Sequence, residues 1–410
     1  MKLLAILSIL AAMTFAMAIS LADEKPGATT QATQTASSDR VVDAFQQKIH
    51  QKIQKLTFSD TELENVIMFY RDIAGVSFQP DWKMLEKAGV DRTAPVTIDR
   101  KDVRLDNALQ EILDGLKAKK PLGFAIVPGG LDGFHTAIVI STKDVLADLR
   151  DRELALAAVV KSTDAFATDL YVKLAASTKG NFLFSPCCIH TALAMTYAGA
   201  AGNTADQMAK TLHITLPADK LGVGYAGLLN VLNNPPDRDA LVEDEAHTPA
   251  YQFVVTNALW GQKGYLFKPP FTQLLQKSYG AEFGEVDFAK PEQAAKAVND
   301  WVAKRTKDRI KEIMVPGDLS DSARLVLTNA VYLKARWEMP FCGDAKNSPF
   351  NLSADKSVDV PMMHQFTAQP LVYGENDQVQ MLQKPCMGDA LWMTIVLPKK
   401  VAAWPISRRP

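Results

Sequence analysis

The six histidines (His50, His135, His190, His213, His247 and His364) are the side chains best suited to proton transfer or zinc ligation near neutral pH. They are scattered, with no His-Glu-x-x-His pair to set two imidazoles on one helix face and no Cys-x-x-Cys to offer a thiolate pair. Neither a metal site nor a catalytic residue is expected from them. Cys187 near His190 suggests a thiol nucleophile with its base, but packing of a core cysteine on a helix is the stronger reading. Gly222-x-Gly224-x-x-Gly227 fits the letters of a dinucleotide fingerprint. Pro217-Ala-Asp-Lys220 stands before it where a buried strand should be, so it reads as a helix surface of small residues. No Gly-x-Ser-x-Gly elbow is present either. The chain is read as not an enzyme, with no cofactor.

The elements around these residues point to binding rather than catalysis. Apolar residues make up 47% and charged residues 22% of 410, a globular balance long enough for two or three domains. The net charge of -1 comes without a standout basic block, so no nucleic-acid partner is expected. Residues 1–22 have a lysine, an apolar run from Leu3 to Ile19 and small residues before Asp23, the pattern of a secretory signal cleaved near Ala22. An uncleaved anchor is the alternative, since the run approaches the roughly 20 residues that span a bilayer. The protein is expected to be secreted, extracellular or periplasmic through bacterial-type export, and free of the membrane after cleavage. Cysteines 187 and 188 are adjacent, and Cys342 and Cys386 are far apart, which favours small buried thiols over a disulfide framework. Residues 23–40, rich in Thr, Gln, Ala and Ser, read as a flexible linker.

Residues 41–150 read as a small α+β module. Ser59-x-x-Glu62 has the form of a capping box, followed by Leu63, Val66, Ile67 and Tyr70 at helical spacing. Val76-x-Phe78 and Val96-x-Ile98 alternate as strands, and Arg104 to Ala118 repeats the helical pattern. Strands at Gly123–Val127 and Thr136–Ser141 flank the turn Pro128-Gly129-Gly130, and a charged helical stretch, Asp144 to Val160, connects onward. This series resembles the short N-terminal module of secretins and TonB-dependent receptors, which implies a binding and assembly unit with an envelope protein as possible partner.

From Asp164 the chain sets Phe166, Leu170, Tyr171 and Leu174 on one helix face. Asn181-Phe-Leu-Phe-Ser185 reads as a buried strand, and Pro186 opens a helix of small residues at its tolerated first turn. Asn257-Ala-Leu-Trp260, Tyr265–Phe288, Ala294–Ile313 with its stripe Ala295, Val298, Trp301 and Val302, Leu325–Phe341, Pro361-Met362-Met363 and Leu391–Pro398 follow in order. Together these segments resemble the serpin family over residues 160–400. The resemblance implies a multi-helix, three-sheet α+β domain that inhibits serine, or occasionally cysteine, proteases. In that family a cleaved reactive loop inserts between strands three and five of the main sheet and traps the protease covalently. It assigns control of sheet opening to Ser185, Cys188, Asn329 and Trp337. Cys188 departs from the usual serine, and a thiol is the weaker hydrogen-bond partner. Beyond Lys400 the family continues through its fifth strand, reactive loop and closing strands, whereas residues 401–410 read as an unmatched tail. The expectation is therefore an incomplete domain, from a frameshifted or degenerate gene, that is inactive as given. The alternative is a non-inhibitory exported protein acting through its N-terminal module.

Overall fold

The computed structural model describes residues 4–9, 35–128, 130, 136–178, 180–234, 251–320, 322–353, 356–365, 371–387 and 391–399. Two compact units divide between Glu153 and Leu154, with residues 4–9 belonging to the second.

The first unit contains α1 (Thr35–Ile49), β2 (Lys52–Glu62), α2 (Leu63–Ala74), β3 (Phe78–Pro80), α3 (Trp82–Lys87), β4 (Pro95–Arg104), α4 (Leu105–Gly115), β5 (Leu122–Val127) and β6 (Ala137–Thr142). β2 pairs antiparallel with β4, and a second sheet has the order β3-β6-β5. Every residue of the central strand β6 is buried, as its unbroken Ala-Ile-Val-Ile run requires. The helical periodicity holds: Leu63, Val66, Ile67 and Tyr70 of α2 face Leu105, Leu109 and Leu113 of α4 in one core with Leu85 and Ile140. Ser141 and Thr142 are the buried polar pair of β6, and the Ser141 hydroxyl donates to Asp81, whose carboxylate caps α3 at Met84 N.

Two expectations are corrected in this unit. Ser59 does not open a helix: β2 runs on to Glu62, a register shift lies between Phe58 and Thr61, and Glu62 makes no side-chain cap. Asp60 sits there at φ 52°, so the chain bulges where hydroxyl and carboxylate spacing suggested a cap. Residues 35–40 of the expected linker are helical, and the rest of that linker lies outside the described residues. Within the expected leader, β1 (Leu4–Ile9) pairs antiparallel with a strand of the second unit, and its remainder lies outside the described residues. The turn expected at Pro128–Gly130 keeps the bond from Gly130 N to Val127 O at 2.9 Å; Gly129 lies outside the described residues.

α5 (Lys143–Ser177) leads into the second unit, which continues through α6 (Pro186–Tyr197), α7 (Gly202–Thr211), α8 (Ala218–Asn233), β7 (Tyr251–Gln262), α9 (Pro269–Tyr279), β8 (Ala281–Val286) and α10 (Pro291–Arg305). A 3-10 turn at Pro316–Asp318 precedes β9 (Leu325–Ala335), β10 (Cys342–Ser353), β11 (Lys356–His364), β12 (Val372–Glu375), β13 (Val379–Pro385) and β14 (Leu391–Pro398). Three sheets result, with orders β8-β7-β9, β10-β11 and β1-β14-β13-β12. α9 is the crossover that lets β8 lie parallel to β7, and β9 returns antiparallel on the other side. Ser185 caps α6 by accepting from Cys188 N, with Pro186 in the first turn as its missing N–H allows.

The glycine fingerprint lies inside α8. A β-carbon on Gly224 would meet the Ala155 carbonyl oxygen at 2.5 Å, and one on Gly222 would meet Ser278 Oγ at 2.6 Å. These glycines exist for close helix packing, not for a pyrophosphate. Two second-unit expectations are corrected. Asn181–Ser185 makes no ladder, and Leu183 is 94% exposed. The helix expected to reach Ile313 stops at Arg305, because Lys307 and Asp308 adopt left-handed φ of 52° and 58°.

Candidate functional site: a polar pair under an open strand edge

Alternation along β7 and β9 divides the β8-β7-β9 sheet into two chemistries. Odd positions Tyr251, Phe253, Val255 and Leu259 of β7, with Leu325, Leu327, Val331 and Leu333 of β9, join the core containing Ala194 and Met195 of α6 and Tyr225 of α8. Even positions Ala258, Trp260 and Val326 pack instead with Ala294 and Val298 of α10. α10 therefore covers one face and α6 lies on the other. On the even face the Trp260 indole donates to Thr328 Oγ1 at 3.1 Å.

The odd face is apolar except at one rung, where Asn257 and Asn329 are directly opposed. Asn329 Nδ2 donates to Asn257 Oδ1 at 2.6 Å, and Asn257 Nδ2 donates to the Tyr279 carbonyl at 2.8 Å. Asn257 is 1% exposed, so its amide is fixed by this chain of bonds. Asn329 Oδ1 is buried and accepts from no group among the described residues. An acceptor left unmet costs about 1–3 kcal/mol. It sits on β9, whose outer side pairs with no strand among the described residues.

Of the four residues singled out from sequence, Ser185 and Cys188 meet at the start of α6 at 3.4 Å, and Asn329 pairs with Asn257. Among the described residues no hydrogen bond joins the two pairs. Burial raises the Cys188 thiol, and the Ser185 contact offsets part of that. Trp337 lies two residues past β9 and bridges to Cys386, with its ring perpendicular to Phe341. Asn257 was missed as a site residue, although an asparagine at an inward position of an otherwise apolar alternation was its signal.

The thiol–imidazole reading fails on geometry and electrostatics. Burial, then the neighbouring Cys188, push the Cys187 thiol up to about 12, so no thiolate forms near neutral pH. His190 is fully buried with both ring nitrogens engaged. Leu212 O at 2.9 Å can only accept, so Nε2 carries the proton and Nδ1 accepts from the Tyr225 hydroxyl. Burial lowers its pKa, and the imidazole is a neutral brace between α6 and α8. Among the described residues Cys187, Cys188 and Cys386 are free thiols.

The chain matches the family described as Serpin (serine protease inhibitor) over residues 161–405, so the match enters the tail expected to be unmatched. It is 39% identical over 244 residues to an uncharacterized serpin-like protein of Thermococcus kodakarensis, covering 59% of this chain and 53% of that one. It is 36% identical over 239 residues to the leukocyte elastase inhibitor of Sus scrofa, covering 58% of this chain and 60% of that protein. The chain thus spans little more than half the length of these curated relatives. Among solved structures, a cleaved serpin 42Da superposes with TM-score 0.52 at 27% identity, covering 62% of this chain and 65% of that one. Emu (Dromaius novaehollandiae) ovalbumin superposes with TM-score 0.55 at 23% identity over 61% and 66% of the two chains, a likeness of fold. With the family match covering more than half its length, this chain belongs to the serpin family.

Proposed function

We propose that the second unit is the strand-accepting part of a protease inhibitor that works by loop insertion. The observation that carries this reading is the open outer edge of β9, with the orphan Asn329 oxygen buried beneath it and Trp337 at its end. An inserting strand would pair with that edge, and a donor arriving with it would satisfy Asn329. The protease serine attacks a bait peptide bond, its hydroxyl proton passes to the departing amine, which leaves as the new amino terminus, and an ester forms with the carbonyl that remains. Insertion of the cleaved loop beside β9 then removes that ester from hydrolytic geometry. Serine proteases, or occasionally cysteine proteases, are the proposed targets. Ser185 and Cys188 brace the α6 end over which β9 must shift, and Asn329 and Trp337 act at the opening itself.

The main reading is tested by a synthetic 12-residue peptide, alternating in Thr and Val, added to the full chain. A slower-migrating, higher-melting species on native gels is expected, and an unchanged melt at saturating peptide overturns strand acceptance.

The first unit supports a second, compatible role. It has its own core around Tyr70 and Leu109, and the pattern resembling the secretin and TonB-dependent receptor module suggests a docking unit for an envelope protein after export. Among the described residues no helix is long and apolar enough to cross a membrane. N-terminal sequencing of the exported protein tests the leader, with cleavage after Ala22 expected and an intact Met1 overturning it.

A further inference from the structure

Burying an ammonium costs several kcal/mol unless its protons are engaged, so a buried lysine calls for a local account. Lys384 on β13 is 2% exposed. Its Nζ donates to the Met339 carbonyl at 2.6 Å and to Gln365 Oε1 just past β11. The same ammonium stands 5.1 Å from the centre of the Trp337 ring and 4.7 Å from that of Phe341. Those two rings are 6.3 Å apart and perpendicular, so they form two walls of a cage around one cation. Backbone bonds close the structure around it. Glu338 N donates to Pro385 O at 3.1 Å, and Met387 N donates to Arg336 O at 2.8 Å. The segment leaving β9 is therefore zipped to the end of β13, with the lysine as its electrostatic rivet.

An apolar residue of the same length would fill this space without desolvating a charge. What the ammonium adds is direction: it faces both rings and a carbonyl at once, and so restricts the indole to one orientation. We propose that Lys384 is the positioning residue of Trp337, holding the indole at the end of β9 and setting how readily a strand enters beside that edge. This rests on reading β9 as strand-accepting, and the experiment separates the two claims.

The full chain is labelled with 5-fluorotryptophan, and the Trp337 fluorine resonance is assigned by Trp337→Phe. Lys384→Met keeps the stem and removes the charge. It is expected to move and broaden the Trp337 resonance and to speed uptake of the Thr/Val peptide about tenfold, within the range of a desolvated cation–π contact. Lys384→Arg keeps the charge and is expected to leave the resonance in place and uptake within about twofold. In a Trp337→Leu background the effect of Lys384→Met on uptake should vanish, because the coupled partner is gone. A Trp337 resonance unmoved by Lys384→Met, or moved equally by the Met and Arg variants, overturns the proposal. Should Lys384→Met lack a cooperative melt, Phe341→Leu removes one wall and is expected to shift the resonance the same way with about threefold faster uptake; no shift overturns it equally. If the unmutated chain takes up no peptide, the strand-accepting reading fails while the resonance still decides what Lys384 does.

Discussion

Strands β6 and β9 both carry long apolar runs, yet they end in opposite circumstances. β6 lies between β3 and β5 with all six residues buried, and its two polar positions are at its end. β9 is longer, pairs on one side with β7, and has only Thr328 and Ala330 buried. Both strands therefore satisfy alternation or burial locally, and only the neighbours differ. A buried strand paired on both sides is a finished structural part, even though its last side chain, Thr142, is on the buried end without a hydrogen-bond partner among the described residues. β9 is half-buried, its outer side pairs with no strand among the described residues, and Asn329 Oδ1 has no donor among them, which is why we propose it as the strand that accepts another.

If that contrast is right, damage to the two strands should be felt separately. The largest effect is expected from Ile140→Ala, which opens a cavity in the finished sheet. It should lower the unfolding transition of the first unit by about 2–4 kcal/mol and leave that of the second in place. Calorimetry of the full chain checks this, and a single transition moving as a whole breaks the comparison.

Next comes pH. Burial raises the Asp164 carboxyl on α5 to about 7, against an ordinary value of 3.8. The folded second unit therefore binds a proton that the unfolded chain has released. Stability from this group is complete below about pH 4 and is lost as pH rises to about 7. Asp164→Asn should flatten that slope and stabilise the unit at pH 8 by at most about 4 kcal/mol, at about 1.4 kcal/mol per pKa unit. His190 opposes it: its pKa is lowered from 6.5, so its contribution is lost as pH falls below about 6.5. Urea melts from pH 4 to 8 of both the native chain and Asp164→Asn resolve the two slopes.

A smaller change is expected from Gly224→Ala. Alanine gains about 1 kcal/mol of helix propensity, but its methyl would press on the Ala155 carbonyl at 2.5 Å. The clash is with backbone, so a net loss of about 1–2 kcal/mol is expected in the second unit alone. A stabilised variant would show that α5 and α8 can separate freely.

The elements were legible where one period dominated. The helix of Leu63, Val66, Ile67 and Tyr70 and the proline at the start of α6 follow from spacing and residue type, while the strands β7 and β9 came from the family resemblance. Ser59 and Glu62 misled because a capping box and a bulged strand end share the same letters. The strand expected at Asn181–Ser185 failed because apolar alternation describes a strand only when a neighbour supplies the ladder. Ser185 and Asn329 were legible through the family resemblance, but not their partners. Asn257 hides inside an apolar strand, and it takes the register to show it opposite Asn329. Lys384 was invisible because a lysine in a strand reads as solvent-facing. Gln383 and Lys384 are both buried although they point to opposite faces, since the segment after β9 folds over what should be the wet side.

The central claim is that β9 has a usable outer edge, and amide hydrogen exchange along Leu325–Ala335 tests it most directly. Amides that pair with β7 should exchange slowly, while the alternate outward amides exchange fast. Adding the Thr/Val peptide should slow the outward set through Asn329 and leave the inward set unchanged. Outward amides already slow without peptide, or still fast at saturating peptide, would contradict the account.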